Sequence, residues 1–344
     1  DLKIKEDLVE EIGRLYGYEK MPEIPIKFSN KQKKRVTSEL QRIRRQIKRL
    51  LVSRNLMELI SWSFVDERLD QLFNQSKKKI EILNPISVDL SCLRSSLLTN
   101  LLLTIKKNNN KGIENLSLFE LGPIFFGFKP GEQTEFLSGV RSGMFYEKNW
   151  IEKDRRFDVF DIKADLYSVL KALNFDEKKL RVFTCSKKHY HPGKSASVLF
   201  GEKELASFGE LHPSILENFE IKKTYAFELN LTSLMELYKQ RSVSKKIFKS
   251  SPYQNSTRDF SFEIDKNILS YEIIETIRKV NHNLIKNVTI FDQFEGEKIG
   301  PNNKAIAIEV QIQSDKKTLE ELEIQDLSKK IIKEVQKVFK AKLR

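Results

Sequence analysis

The sequence predicts an α+β fold in at least two parts, and three observations carry that expectation. Runs that alternate apolar and polar residues are interleaved with amphipathic runs at helical spacing, which argues for antiparallel strands and helices rather than a parallel doubly wound sheet. A length of 344 residues exceeds one ordinary compact core and suggests two or three domains. Finally, a polar, Ser- and Lys-rich stretch, "KQRSVSKKIFKSSPYQNS" (239–256), punctuated by Pro252, reads as a linker, and the rhythm of the chain changes after it.

In chain order, "DLKIKEDLVEEIGRLYGYEKMP" reads as an amphipathic helix that starts at its first turn, as in a piece cut from a longer chain. Pro22 and Pro25 in "KMPEIPIKF" are expected to end it and open a linker. Next, "KQKKRVTSELQRIRRQIKRLLVSRN" (31–55) carries ten Lys or Arg against the single acid Glu39. Its apolar residues Val36, Leu40, Ile43, Ile47, Leu50 and Leu51 recur at helical spacing and make one narrow stripe. The cations on the other faces face phosphate, an acidic partner, or water.

Strands are expected at "ELISWSFV", "KKIEILNP" and "LSLFELGPIFF", with a Leu-rich helix, "LRSSLLTNLLLTIKKNNN", between the last two. Then come "FLSGVRSGMFY", the helix "DIKADLYSVLKAL", the strands of "SASVLFGEKELASFGEL", and "TYAFELNL". Gly201 and Glu202 mark the hairpin turn inside that pair. Beyond the linker, "RDFSFEI" reads as a strand and "SYEIIETIRKVN" as a helix with Ser270 at its N-cap. "KNVTIFDQF" and "KAIAIEVQIQ" are strands joined by "EGEKIGPNN". A long helix follows, with Thr318 and Glu321 as a capping box, and a short strand at the terminus. Strand, helix, strand, strand, helix is the split βαβ order of ferredoxin-like folds.

The chain is 40% hydrophobic and 32% charged, as in soluble globular proteins, and no apolar run of 18 residues predicts a membrane span. Cys92 and Cys185 form no CxxC pair, so inert thiols in a reduced, cytoplasmic setting are expected. A formal net charge of +13 favours a polyanionic partner such as nucleic acid.

No phosphate-binding glycine loop, HExxH or zinc cluster is present. His189 and His191 in "HYHPGKSA" read as a surface turn, since two ligands without a third make no metal site. His212, before a proline, reads as structural, and His282 stands alone. Arg94 in "LSCLRSSLLTNLL" has the chemistry to hold a carboxylate or phosphate bidentately, or to form a structural ion pair. Asp7, Glu10 and Glu11 share a helical face, with Asp1 just ahead. That face is either solvated, or it gathers oxygen ligands for a hard cation such as magnesium.

Taken together, "DLKIKEDLVEEIGRLYGYEKMP", "ISWSFVDE", "ILNPISVDLSCLRSSLLTNLL", "LFELGPIFF", "FDIKADLYSVL", "HPGKSASVLFGEKELASFGELHP" and "SPYQNSTRDFSFEID" resemble, in this order, the beta subunit of bacterial phenylalanyl-tRNA synthetase. The resemblance covers essentially the whole chain, as the C-terminal portion of that subunit. It implies that 1–25 is the end of a small helical, magnesium-binding domain of the B5 type. It implies that 26–245 is a class II synthetase-like antiparallel sheet with flanking helices, a catalytically inactive copy. Residues 251–344 would then be a ferredoxin-fold anticodon-binding domain. The family's RNA-binding module and editing domain would lie ahead of Asp1.

The implied function is that of a non-catalytic subunit of phenylalanine–tRNA ligase, packed on the catalytic alpha subunit in an alpha2beta2 assembly and binding tRNA(Phe). ATP would be bound by the alpha subunit, and no catalytic residue is expected in this chain. Magnesium would be held by Asp1, Asp7, Glu10 and Glu11. Anticodon contacts would fall on Asp292, Phe294 and Ala305. Phe294 stands where a hydroxylated aromatic is common in the family, and Ala305 where Ser is common, so stacking is kept and two hydroxyl hydrogen bonds are lost. Two other readings differ in class: a stand-alone RNA-binding or scaffolding protein built from the same modules, and an enzyme with its own site. An alpha-subunit gene beside this one argues against the former. Aminoacylation by the isolated chain would argue for the latter.

Overall fold

The computed structural model describes residues 2–24, 36–74, 80–129, 131–146, 149–239, 250–296, 299–300 and 302–344. The chain divides into two compact units, 1–46 and 47–344. In the first, helix α1 spans Lys5–Tyr16. It ends at Gly17, not at the prolines expected to stop it: Gly17 has φ 95°, which costs a glycine nothing sterically. One 3-10 turn, Tyr18–Lys20, follows, and Pro25 lies outside the described residues. Helix α2, Glu39–Ser53, is shorter than the basic run that predicted it. Ser38 and Gln41 exchange hydrogen bonds at its start, each 3.2 Å. Ile43, Ile47 and Leu51 of the expected stripe are buried, whereas Val36 precedes the helix and is fully exposed.

The second unit takes in the part of α2 from Ile47 on and then β1 (Met57–Glu58), β2 (Phe64–Val65), α3 (Glu67–Asp70), β3 (Cys92–Leu93) and α4 (Leu98–Asn109). It continues through β4 (Leu116–Phe125), β5 (Gln133–Ser142), α5 (Val159–Ala172), β6 (Leu180–Thr184), β7 (Tyr190–Phe200), β8 (Lys203–Leu211), α6 (Pro213–Phe219), β9 (Thr224–Asn230) and α7 (Leu231–Lys239). A seven-stranded sheet runs β1-β4-β5-β9-β8-β7-β6 and is antiparallel except at β1–β4. The expected strand "ELISWSFV" splits in two, because β1 joins this sheet while β2 turns away to pair with β3. Within "KKIEILNP", the described part forms one bridge, Glu81 to Cys92.

Strand alternation gives the sheet two apolar faces. Leu118 and Val140 join Leu97, Leu98, Leu101, Leu102 and Ile105 of the Leu-rich segment on one of them. Gly139 lies on the other, in register with Phe227; a Cβ there would come within 2.4 Å of that ring, so the glycine is a packing requirement. On this face Asp165 of α5, fully buried, accepts from Arg141 Nε of β5 at 2.6 Å and Nη2 at 3.0 Å, and from Arg54 Nε at 2.6 Å.

The final elements are β10 (Ser256–Asp265), α8 (Ser270–Val280), β11 (Ile285–Phe294), β12 (Asn303–Ile312), α9 (Glu321–Phe339) and β13 (Lys342–Leu343). Their sheet order, β11-β12-β10-β13, is that of the expected ferredoxin-like fold. Phe260, Phe262, Ile306, Ile308 and Val310 meet Ile273 and Ile277 of α8 and Ile324, Leu327, Ile331 and Val335 of α9 in one core. Helix starts differ from expectation. Ser270 is the first helical residue, and Leu269 before it makes no side-chain cap. Helix α9 opens on Glu320 and Glu323 rather than Thr318 and Glu321, with Glu320 N donating to Glu323 Oε2 at 3.0 Å. Strand β11 carries two bulges, at Lys286 and Phe291, where its register against β12 steps by one. Among the described residues no helix is long and apolar enough to cross a membrane.

Candidate nucleic-acid interface

Helices α8 and α9 cover one face of the four-stranded sheet and leave the other open. Register fixes what the open face carries. Across β10, β12 and β11 the rows read Glu263–Ala305–Phe294, Ser261–Ala307–Asp292 and Asp259–Glu309–Thr289. Phe294 is 51% exposed, so this ring is a surface residue and not part of the sheet's core. Its ring lies against the following loop: a Cβ on Gly296 would come within 2.9 Å of it. Asp292 is exposed two residues earlier on the same face. Ala305 is buried, 5% exposed, between Glu263 and Phe294, so it forms a floor rather than a projecting contact. Phe291, also exposed, was not singled out by sequence; as the bulge residue it escapes the alternation rule that would have flagged it. The arrangement offers an exposed aromatic ring of the kind that stacks on an unpaired base, and a carboxylate of the kind that accepts from a base edge.

The acidic face of α1 is partly engaged by its own chain. Asp7 Oδ2 accepts from Lys3 N at 2.7 Å and Ile4 N at 3.1 Å, and these two bonds hold its carboxyl below the usual carboxylate range. Glu11 pairs with Arg14 at 2.6 Å, and Glu10 is exposed. Asp1 lies outside the described residues. Among the described residues no three His, Cys, Asp or Glu side chains gather as a metal cage. The Glu11–Arg14 pair is solvent-exposed, so it is worth at most about 1 kcal/mol and yields readily to a divalent ion. A hydrated magnesium takes few protein oxygens and keeps most of its waters, so it does not require such a cage.

At the centre of the large sheet, Arg94 is consumed internally. It is 2% exposed; its Nη1 donates to Glu120 Oε1 at 2.6 Å and Ser61 Oγ at 2.9 Å, and its Nε donates to the Pro123 carbonyl at 3.0 Å. That is the structural ion pair among the readings open to it. The histidine turn differs from its reading: His189 is 3% exposed, and its Nε2 donates to Glu228 Oε2 at 3.0 Å. Glu228, on β9, also accepts from Lys187 Nζ at 3.1 Å and Ser96 Oγ at 2.9 Å. No sequence spacing announces this cluster, because its members are 132 positions apart at the extremes. His212 is structural as expected, accepting from Ser214 N at the start of α6. Both cysteines are buried, and Cys92 Sγ donates to the Val65 carbonyl at 3.5 Å.

Glu228 sets an acid limit on the fold. Burial alone would raise its carboxyl, but Lys187 and His189 outweigh burial and hold it well below the ordinary value of 4.5. A depressed folded value contributes stability that is present above 4.5 and lost as pH falls through the folded value. Urea unfolding across that acid window is expected to show stability falling in the wild type and a flatter profile in Glu228→Gln. Parallel profiles for the two proteins would remove Glu228 from the acid response.

Two further surfaces stand out. Arg42, Arg45 and Arg49 of α2 are exposed, with Arg42 3.8 Å from Glu39. Around the β2–β3 ribbon, Ile60, Trp62, Leu83, Ile86 and Val88 are all more than 60% exposed. Clusters of exposed apolar side chains of this kind mark sites of protein association.

Two family models match the chain. "Phenylalanyl tRNA synthetase beta chain CLM domain" matches residues 24–231, and "Ferredoxin-fold anticodon binding domain" matches 251–344. Among curated proteins, the phenylalanine–tRNA ligase beta subunit of Paramagnetospirillum magneticum is 34% identical over all of this chain and 43% of its own length. That of Ehrlichia canis is 37% identical over 97% of this chain and 42% of its own. That of Bartonella quintana is 35% identical over all of this chain and 44% of its own. The chain thus spans less than half the length of these relatives. Among solved structures, a pyrrolysyl tRNA synthetase from Desulfitobacterium hafniense aligns with TM-score 0.45 and 15% identity over 59% of this chain and 69% of that one.

Proposed function

Because the chain belongs to the phenylalanyl-tRNA synthetase beta chain family, we propose that it acts as a non-catalytic part of phenylalanine–tRNA ligase. In this role it packs on a catalytic alpha subunit and binds the anticodon of tRNA(Phe). The observation that carries the tRNA half is the exposed pair Phe294 and Asp292 on the open face of the sheet. One stacks and the other accepts, which is how unpaired bases are held and told apart. Support for the subunit half comes from the exposed apolar cluster around Trp62, a surface suited to a partner chain. The internal consumption of Arg94 and Glu228 supports leaving ATP and the aminoacylation chemistry to the alpha subunit, in a cytoplasmic alpha2beta2 assembly. The segments 1–25, 26–245 and 251–344 are the working domains of this proposal.

The test is reconstitution. The chain is expected to co-purify with the alpha subunit, and charging of tRNA(Phe) is expected only when both are present. Charging by the chain alone, above background, would assign the chemistry to this chain and sink the reading.

Magnesium belongs to the proposal as well. The ion would draw on Asp7, Glu10, Glu11 and Asp1, relieve their mutual repulsion and bridge to the partner. Subunit association measured with and without magnesium should tighten with the ion in the wild type, and lose that dependence in Asp7→Asn/Glu10→Gln. Equal affinities in all four arms would dismiss the metal.

A further inference from the structure

We infer that the helical side of the four-stranded sheet is a second RNA contact, a basic groove that takes the sugar–phosphate backbone. The inference rests on the RNA-binding reading above, but on different residues. Between α8 and α9 lies a groove of about 710 Å³ lined by Lys279, Lys330, Lys333 and Lys337, with Glu334 as the one acid in its wall. Lys330, Lys333 and Lys337 stand at i, i+3 and i+7, so they share one face of α9, and Lys279 meets them from α8.

All four lysines are exposed, and among the described residues none forms an ion pair. Some surface lysines elsewhere are paired, Lys106 with Glu220, Lys203 with Glu236, Lys222 with Glu114 and Lys286 with Asp315, and others, such as Lys107 and Lys188, are not paired among the described residues; what sets these four apart is that they line one groove. Four like charges kept together along one groove repel each other unless an anion sits among them.

The groove does not end there. It shares Thr276, Lys279 and Val338 with a neighbouring cavity of about 840 Å³. That cavity adds Lys179, Arg181 and the exposed ring of Phe183, together with Glu272 and Glu275; the latter is already paired with Arg278 at 3.2 Å. A track of cations with an aromatic side chain beside it is the composition that follows a nucleic-acid backbone.

The opposite face makes such a track necessary. Its paired rows hold Asp259, Glu263, Asp292 and Glu309, and the base facing them is Lys342. Carboxylates read base edges but repel phosphates, so the electrostatic share of RNA affinity has to come from another surface. Lysines act there as adaptable point charges.

The test uses the full 344-residue chain and an unmodified tRNA(Phe) transcript, with affinity measured across a salt series. The variants are Lys279→Gln/Lys330→Gln/Lys333→Gln/Lys337→Gln, the same four positions changed to Arg, and Phe294→Ala. Gln and Arg are about as helix-compatible as Lys, and thermal melts check the fold.

Each lost phosphate contact flattens the slope of log affinity against log salt by about 0.7–0.9, so the Gln variant is expected to flatten it by roughly 3 and to bind more weakly at low salt. The Arg variant should keep the wild-type slope. Phe294→Ala should weaken binding with the slope intact, so a failure of the stacking face shows separately from a failure of the groove. An unchanged slope and affinity in the Gln variant would overturn the inference. So would a Gln variant that binds RNA normally but no longer co-purifies with the alpha subunit, because the groove would then be occupied by an acidic protein surface. Absence of RNA binding by the wild type would overturn both the groove and the anticodon reading.

Discussion

Replacing Asp165 with alanine is expected to destabilise the second unit by about 3–5 kcal/mol, the usual result of removing one partner from a buried ion pair. Asp165 is 0% exposed and receives three short hydrogen bonds from two guanidinium groups, Arg141 and Arg54. Arg141 is itself buried and reaches on to the backbone carbonyl of Arg54 at 2.8 Å. Alanine leaves that buried cation without its carboxylate partner. The neighbouring Leu166→Ala, which only empties apolar volume, should cost about 2–5 kcal/mol by the cavity route and leave the polar network whole. The two can be told apart: Asp165→Ala/Arg141→Met should recover part of the loss, since a neutral pair removes the orphaned charge. Urea unfolding followed by circular dichroism checks all of these. A loss below about 1 kcal/mol for Asp165→Ala would mean that the cluster is hydrated and holds little of the sheet together.

The other large effect concerns Phe294. On the anticodon reading proposed above, its replacement by alanine is expected to remove one base–aromatic stack, worth about 1–3 kcal/mol, or roughly five-fold to a hundred-fold in tRNA affinity. Since the ring is 51% exposed, little core packing goes with it, and the melting temperature should hardly move. Asp292→Ala should act differently. On the same proposed reading it deletes an acceptor for a base edge, so it should narrow the gap between cognate and anticodon-altered tRNA more than it weakens cognate binding. Neither change is expected to alter amino-acid activation by an assembled enzyme. A folded Phe294→Ala protein with undiminished tRNA affinity would retire the stacking role.

Much of the architecture was legible because it rests on periodicity. The Leu-rich run became α4, the hairpin at Gly201 joined β7 to β8, and the strand–helix order after the linker gave the split βαβ sheet. Helix ends were less legible. Gly17 stopped α1 before the prolines could, and both C-terminal helices start on residues other than the expected caps, because a cap depends on backbone angles that composition only biases. "ELISWSFV" broke because its two ends pair with different partners, a tertiary fact. For the candidate site, alternation counted along β11 would have put Phe294 inward with Val288 and Ile290; the bulge at Phe291, visible only in the register against β12, turns it outward. The burial of His189 against Glu228 could not be read, since nothing local to "HYHPG" says that a carboxylate from β9 will arrive there.

The bulge at Phe291 has a consequence for how β11 can change length. Ile290 opposes Ile308 and Asp292 opposes Ala307, so Phe291 is the one residue between them without an opposite number. Dropping it would leave every remaining pair in phase: Ile290 still inward, Asp292 and Phe294 still outward. Dropping any paired residue between Asp292 and Phe294 would instead turn the strand's end over and bury what now faces out. The strand thus carries a spare letter beside its working ones, and a deletion there is a silent edit where its neighbours' would be a frameshift of faces.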